Sequence, residues 1–387
     1  MFGENKNKTN SHSSNGKKHR SRWFEVLTLL FGTLLVLCAY AGNISPGSFV
    51  GAPFLTLAYM PMLVLALLVL LLSVVFRRWL AALMVVIAMV ATLPVLSIYM
   101  PQNDSKNLPP VPIDTTSVLK VMTYNALAFN YNDPKLGTQP SESMRLILDT
   151  RPDVVILQEG SPGGIEWGEV PSLQPYKDEI AAKYPYRYQS VEGLNIMSRY
   201  PFTTTPLGEA RHNRSPLGYN RNQTSYLARA YDLELPGGKQ LRLLDFRLQS
   251  YHLGFGKGMS VRVSPEVKPA PLERMRRSFM LRDSDAVALR HAIDDSPANL
   301  IVCGDMNDVP SSHAYRCILG DDLNDAWREV GQGYAYTYNR HHLPYRIDHV
   351  FYRGSIRALA AERLKGGSSD HYPLMVTFDI DINENNK

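Results

Sequence analysis

Apolar residues follow two regimes along this chain, and the change falls near residue 100. Before it come three long apolar runs, at 24–42, 55–76 and 79–100. Each is close to the ~20 residues a helix needs to cross the hydrocarbon of a bilayer. Between Leu63 and Val75 there is no charge, and Ser73 is the only polar side chain. The length of the first run, with two more directly behind it, argues for an uncleaved anchor over a signal peptide. The pattern predicts three transmembrane helices. Beyond residue 116 the period shortens to that of strands, at 118–125, 153–159, 193–201, 227–235, 241–248, 301–303, 346–352 and 374–380. The run 153–159 is apolar almost throughout, as in a strand covered on both faces. Pro236-Gly237-Gly238-Lys239 reads as a hairpin turn. Helical spacing marks 141–149, stopped by Arg151-Pro152, and the highly charged 272–293. Residues 326–330 read as helical or irregular, and 254–270, rich in Gly, Pro and charge, as an irregular loop.

Charge orients the apolar part. Lys6, Lys8, Lys17, Lys18, Arg20 and Arg22 precede the first run, Arg77-Arg78 separate the second from the third, and 43–54 holds neither Lys nor Arg. The positive-inside rule then puts the N-terminus and the Arg77-Arg78 turn in the cytoplasm and everything beyond the third span outside it. Trp23, Trp79 and Tyr99 stand where interfacial anchors belong. The expected organisation is a basic cytoplasmic tail over 1–23, a multi-pass anchor in the cytoplasmic membrane over 24–100, a proline-rich linker over 101–116 and an outer domain over 117–382. Of 41 Lys and Arg, eight precede residue 101, and of 36 Asp and Glu, two do. The outer domain is therefore near neutral, without the basic excess that accompanies non-specific grip on duplex nucleic acid. Three cysteines, Cys38, Cys303 and Cys317, supply no disulfide framework.

Candidate chemistry centres on 301–312, Ile-Val-Cys-Gly-Asp-Met-Asn-Asp-Val-Pro-Ser-Ser. A short apolar strand runs into a polar turn, so Asp305 and Asn307 project together from its end. A carboxylate beside a carboxamide offers a base or metal-positioning group next to a neutral donor for a phosphate oxygen. Taken alone, the stretch reads more readily as an Asp/Asn-rich turn, and the rest of the chain overturns that. Two further strands lead into Asn125 and Glu159, another carries Asp348 near its start, and the loop before the last carries Asp370-His371.

The pieces Met122-Thr123-Tyr124-Asn125, Ile156-Leu157-Gln158-Glu159, Gly304-Asp305-Met306-Asn307-Asp308, Arg346-Ile347-Asp348 and Ser369-Asp370-His371 resemble, in order and context, the endonuclease/exonuclease/phosphatase superfamily. These are the DNase I-like metal-dependent phosphoesterases. The resemblance covers about 118–380. It implies an α/β fold, a two-sheet α/β sandwich, here preceded by three transmembrane helices. It implies Glu159 as the main Mg²⁺ ligand, with Mn²⁺ equally suited to the same oxygens, and Asn125 and Asp370 in or near the metal shell. Asp305 would orient or deprotonate the attacking water, and Asn307 would hold a phosphate oxygen. His371, oriented by Asp348, would act as base or stabilise the transition state. One position departs. Relatives commonly carry a histidine in an Asn-x-His-Leu context, and Arg247 of Asp245-Phe246-Arg247-Leu248 stands there instead. Arg247 reads as a phosphate clamp, the other readings being a damaged site or a register in which His252 takes the role. Asn195, where a small residue is common, has no assigned part.

These residues imply a membrane-anchored, divalent-metal-dependent phosphodiesterase or phosphatase acting outside the cytoplasmic membrane, on a lipid head group or small phosphoester in preference to nucleic acid. An extracytoplasmic nuclease and a non-catalytic phospho-ligand binder remain the alternatives.

Overall fold

The computed structural model describes residues 14–103, 117–161, 165–210, 225–250, 271–339 and 344–380. The chain divides into two units, Met1–Ala41 with Phe54–Val95, and Gly42–Pro53 with Leu96–Lys387.

The first unit is built from α1 (Ser14–Tyr40), α2 (Ala52–Val75) and α3 (Trp79–Ala91), which leads into α4 (Leu93–Tyr99). The first two apolar runs form helices long and apolar enough to cross a membrane. The third run, expected as one helix, is a bent pair in which α3 and α4 meet at 56°. Pro94 explains the break, since it has no N–H to give the Val90 carbonyl and its ring crowds that carbonyl. Val95 N turns to Thr92 O at 3.0 Å, and the Ala91 carbonyl is taken up by the Tyr40 hydroxyl at 2.7 Å. Leu67, Leu71, Val75, Leu83, Ile87 and Val90 are exposed, as lipid-facing positions would be.

In the second unit the described strands form two six-stranded sheets. The first runs β11 (Arg357–Arg363), β12 (Leu374–Asp379), β1 (Val118–Asn125), β2 (Val154–Gln158), β4 (Asn195–Ser198), β3 (Tyr186–Tyr188). The second runs β5 (Phe202–Ala210), β6 (Ser225–Leu235), β7 (Lys239–Arg247), β8 (Leu300–Asp305), β10 (Asp348–Arg353), β9 (Asn324–Asp325). The strands that the sequence pattern did not predict are β3, β5, β9 and β11, and these are the four sheet edges. An edge is covered less, so it tolerates Pro206 in β5 and the Ala and charge of β11, which blur the alternation. Helix α5 (Glu142–Thr150) is the crossover that makes β1 and β2 parallel, and it starts on Ser141 Oγ, which accepts from Met144 N at 3.2 Å. Helices α6 (Lys177–Lys183), α7 (Pro271–Asp294), α8 (His313–Leu319) and α9 (Ala326–Val330) complete the unit. The loop expected over 254–270, and His252, lie outside the described residues, as do 104–116 of the linker.

Alternation along the strands makes the core and aims the polar residues. Leu119 and Val121 of β1, Val154 and Ile156 of β2, Leu241 and Leu243 of β7, Ile301 and Cys303 of β8, and Val350 and Tyr352 of β10 share one buried cluster between the sheets. The opposite faces pack outward, with Tyr124 and Leu157 against Ile147 of α5, and Leu244, Phe246 and Val302 against Leu289 and Ile293 of α7. Truncating one of the fully buried aliphatic side chains, such as Ile156, costs roughly 2–5 kcal/mol in such a core. Following each inner row by twos ends on Asn125, Gln158, Arg247 and Asp305. The strand β10, antiparallel to β8, begins on Asp348 opposite Asp305. The antiparallel β12 likewise puts the Asp370-His371 loop at the Asn125 end of β1. The inner rows of β1, β2, β7, β8 and β10 all turn polar at one end of the sandwich.

Residues next to the apolar helices belong to this unit by their bonds. Ser45 Oγ donates to Asp283 Oδ2 at 3.0 Å, Arg346 Nη2 to Ile98 O at 2.9 Å, and Asn103 Nδ2 to Gly331 O at 2.7 Å. The Tyr99 and Ser311 hydroxyls are 2.7 Å apart.

Candidate active site

Close approach shapes the strand that carries Asp305. A Cβ on Gly304 would lie 1.9 Å from Phe246 O, so the tight passage of β8 beside β7 needs glycine there. Glu159 (φ 47°) and Asn307 (φ 54°) both adopt left-handed backbone, which costs a side-chain-bearing residue about 1–3 kcal/mol unless its surroundings impose it. Here they do. Ala128 N donates to Glu159 O at 2.7 Å and Gly160 N to Gly193 O at 3.0 Å, while Met306 N donates to Ile347 O at 2.8 Å. These bonds turn the chain sharply at each strand end and direct both side chains into the site.

One amide ties the two sheets together. Asn125 Nδ2 donates to Glu159 Oε1 at 3.3 Å and to Asp305 Oδ2 at 3.0 Å. Asn307 donates to Asp305 twice, from its backbone N to Oδ1 at 2.9 Å and from Nδ2 to Oδ2 at 3.1 Å, and Nδ2 also reaches Leu248 O at 3.0 Å. Arg247 Nη2 is ion-paired with Glu159 Oε1. Opposite these, His371 Nδ1 lies 2.8 Å from Asp348 Oδ2, with both side chains buried. Donor atoms of Asp305, Asp348 and His371 all fall within 4.8 Å of one another.

The expected residues therefore meet: Asn125, Glu159, Asp305, Asn307 and Arg247 form one bonded string, and Asp348 and His371 a pair beside Asp305. Asp370 is half-buried, and its charge acts on His371. Its backbone carbonyl accepts from Asn339 N at 3.0 Å. Arg247, expected on a substrate phosphate, here holds Glu159. Asn195 is a turn-former, accepting from Ser190 N through Oδ1 at 2.7 Å.

The electrostatics separate two roles. Burial raises the Asp305 carboxyl to about 6, with the His371 charge holding it down and Asp348 pushing it further up. Burial works against a charged His371, but Asp348 and Asp305 outweigh it and carry the ring to about 10. At neutral pH His371 is thus an imidazolium, a donor and a positive charge, while Asp305 is free to accept a proton.

Several contributors carry no motif signal of their own. Ser369 Oγ donates to Asn125 O at 2.7 Å and accepts from His371 N at 3.1 Å, clamping the loop to β1. Thr337 Oγ1 accepts from Asp348 N at 3.1 Å, and the Tyr338 ring meets His371 edge-on at 5.3 Å. Behind Glu159, Gln158 Nε2 donates to the fully buried Asp245 at 2.6 Å, and burial pushes that carboxyl well above the usual range. A carboxylate following Leu241 and Leu243 on the inner row of β7 was the available sequence cue.

The profile of the Endonuclease/Exonuclease/phosphatase family matches residues 122–371. The chain belongs to that family. Its members hydrolyse phosphoester bonds and generally depend on a divalent metal. A second profile, of a domain of unknown function, matches residues 21–99. No curated protein matches the chain. Among solved structures it is similar to an endonuclease/exonuclease/phosphatase from Beutenbergia cavernae (21% identity, 68% of this chain and 72% of that one, TM-score 0.43). It is similar also to one from Bacteroides vulgatus (16%, 68% and 99%, TM-score 0.46) and to sphingomyelinase C from Streptomyces griseocarneus (17%, 67% and 99%, TM-score 0.42).

The donor set suits the family's divalent metal. Glu159, Asp305, Asp348 and the Asn125 amide are hard oxygen donors of the kind Mg²⁺ and Mn²⁺ take. Asp348 Oδ1 is buried with no hydrogen-bond partner among the described residues. His371 is less suited as a ligand, because the charged ring has a proton on Nε2 in place of a lone pair.

Proposed function

We propose that this chain is a membrane-anchored, divalent-metal-dependent phosphodiesterase or phosphatase acting on the outer side of the cytoplasmic membrane. The observation that carries the reading is the joining of Glu159, Asn125 and Asp305 across the two sheets, beside the buried His371–Asp348 pair. Glu159 and Asn125, together with Asp370, would hold Mg²⁺ or Mn²⁺, which when bound would supply neutralisation of charge on the phosphoryl oxygens. Asp305 takes the proton of the attacking water. Asn307 and Arg247 hold phosphate oxygens, and the imidazolium of His371, kept in place by Asp348, stabilises charge in the transition state.

The anchor is α1, α2 and the bent α3–α4 pair as a third span. The bond from Ser45, between the first two spans, to Asp283 of the domain supports a common side for loop and domain. The basic residues at 6–22 and 77–78 make that side the outer one. A near-neutral domain tethered to lipid favours a lipid head group or small phosphoester over nucleic acid.

The test is full-length protein in detergent, assayed with Mg²⁺, Mn²⁺ or EDTA against phospholipid head-group esters, inositol phosphates and DNA. Metal-dependent hydrolysis is expected, and Glu159→Ala is expected to abolish it; activity surviving that substitution refutes the reading. Turnover of DNA that falls steeply with salt identifies a nuclease instead. Phosphate binding without turnover identifies a binder.

A further inference from the structure

Arg247 occupies the carboxylate on which the proposed metal site depends. Its guanidinium is ion-paired with Glu159 Oε1, and that same oxygen accepts from Asn125 Nδ2 at 3.3 Å. Both side chains of the pair are only 17% exposed, so water screens them little. The guanidinium keeps its charge at every pH of interest. It stands at the end of the inner row of β7, in register with Asp305 of β8. Two cations cannot share the Glu159 oxygens without strong repulsion in so enclosed a place. The planar fork of Arg247 nevertheless has an alternative partner of matching shape in the site's own substrate, a phosphate.

We propose that Arg247 is an exchangeable counter-ion: it holds Glu159 until a divalent cation takes that carboxylate, and the released guanidinium then binds the substrate phosphate. The inference rests on the reading of Glu159 as a metal ligand. It assigns Arg247 a part in ordering the binding steps, beyond clamping. Its consequence is linkage. Metal frees the arginine that phosphate needs, and phosphate holds the arginine away from the carboxylate that metal needs, so each ligand tightens the other by the same factor.

The experiment is titration of full-length protein in detergent with Mn²⁺ alone, read by electron paramagnetic resonance, and with inorganic phosphate in the presence and absence of Mn²⁺, read by calorimetry. Removing the competitor in Arg247→Gln is expected to tighten Mn²⁺ by about 5–150-fold, the usual range of coupling between sites, and to erase the mutual tightening by phosphate. Arg247→Lys keeps the charge without the fork, so it is expected to bind Mn²⁺ like the parent and to lose most of the phosphate coupling. It remains informative where Arg247→Gln does not fold. Glu159→Gln separates this inference from the reading beneath it. Mn²⁺ weakened by Glu159→Gln but unchanged in Arg247→Gln overturns the exchange and leaves Glu159 a ligand. Phosphate coupling of parental size in Arg247→Lys overturns it too. Mn²⁺ unchanged by Glu159→Gln overturns both.

Discussion

Replacing Asp348 with Asn removes one charge from the buried pair at the centre of the site while keeping shape. The backbone bond from Asp348 N to Thr337 Oγ1 and the β10 register opposite Asp305 do not involve the carboxylate, so the strand stays in place. What changes is the proton on His371, whose affinity for it Asp348 does most to raise. With the ring at about 10, keeping it charged at pH 7 corresponds to roughly 4 kcal/mol at about 1.4 kcal/mol per pH unit. That is a ceiling on the stability Asp348→Asn can remove, because beyond it the ring sheds its proton, and Asp305 still supports part of the charge. The figure agrees with the roughly 3–5 kcal/mol typical of breaking a buried pair by removing one partner.

The sign follows from the raised value. Stability from this pair is fully present below the ordinary histidine value near 6.5 and is lost as pH rises through about 10. The parent–variant difference in denaturant midpoint should therefore shrink between pH 6 and pH 10. The His371 side-chain resonances of the variant should titrate far lower than the parent's. Hydrolysis should fall by about 10²–10⁴, as for loss of a positioned proton-handling group. A variant within about threefold of parental turnover, or a stability gap that does not narrow with pH, refutes the reasoning.

Two further substitutions probe the supporting structure. Asp245→Asn should stabilise the protein, because its buried carboxyl is held well above the usual range and an amide has no charge to bury. The gain is absent below the ordinary carboxylate range and grows above it by up to about 1.4 kcal/mol per pH unit; a denaturant midpoint unchanged between pH 4.5 and 7.5 counts against it. Arg346→Ala should cost roughly 3–5 kcal/mol, since Asp325 is paired with it in full burial and the Ile98 carbonyl loses its donor. Thermal unfolding in detergent measures this, and a loss under about 1 kcal/mol would mean the pair is easily replaced.

Much of this protein is written locally. The three apolar runs and the strand alternation need no tertiary information, because lipid length and the period-2 pleat act on neighbouring residues. For the same reason the ends of the inner rows (Asn125, Asp305 and Asp348) could be picked out as candidates from the chain alone. What the sequence could not determine depends on distance across the fold. The four edge strands lacked the double coverage that makes a strand legible, and their pairing is visible only once the sheets exist. Arg247 reads from sequence as a free clamp, yet its guanidinium lies on Glu159, 88 residues away, because β7 and β2 face each other across the core. His371 reads as base or stabiliser alike until Asp348 and Asp305 are seen to flank it. Periodicity states which face a side chain takes, but charge state and ion pairing follow from burial and separations of a few ångströms. Those are set by sheet register and sheet packing, where a slip of one residue would turn every inner row outward.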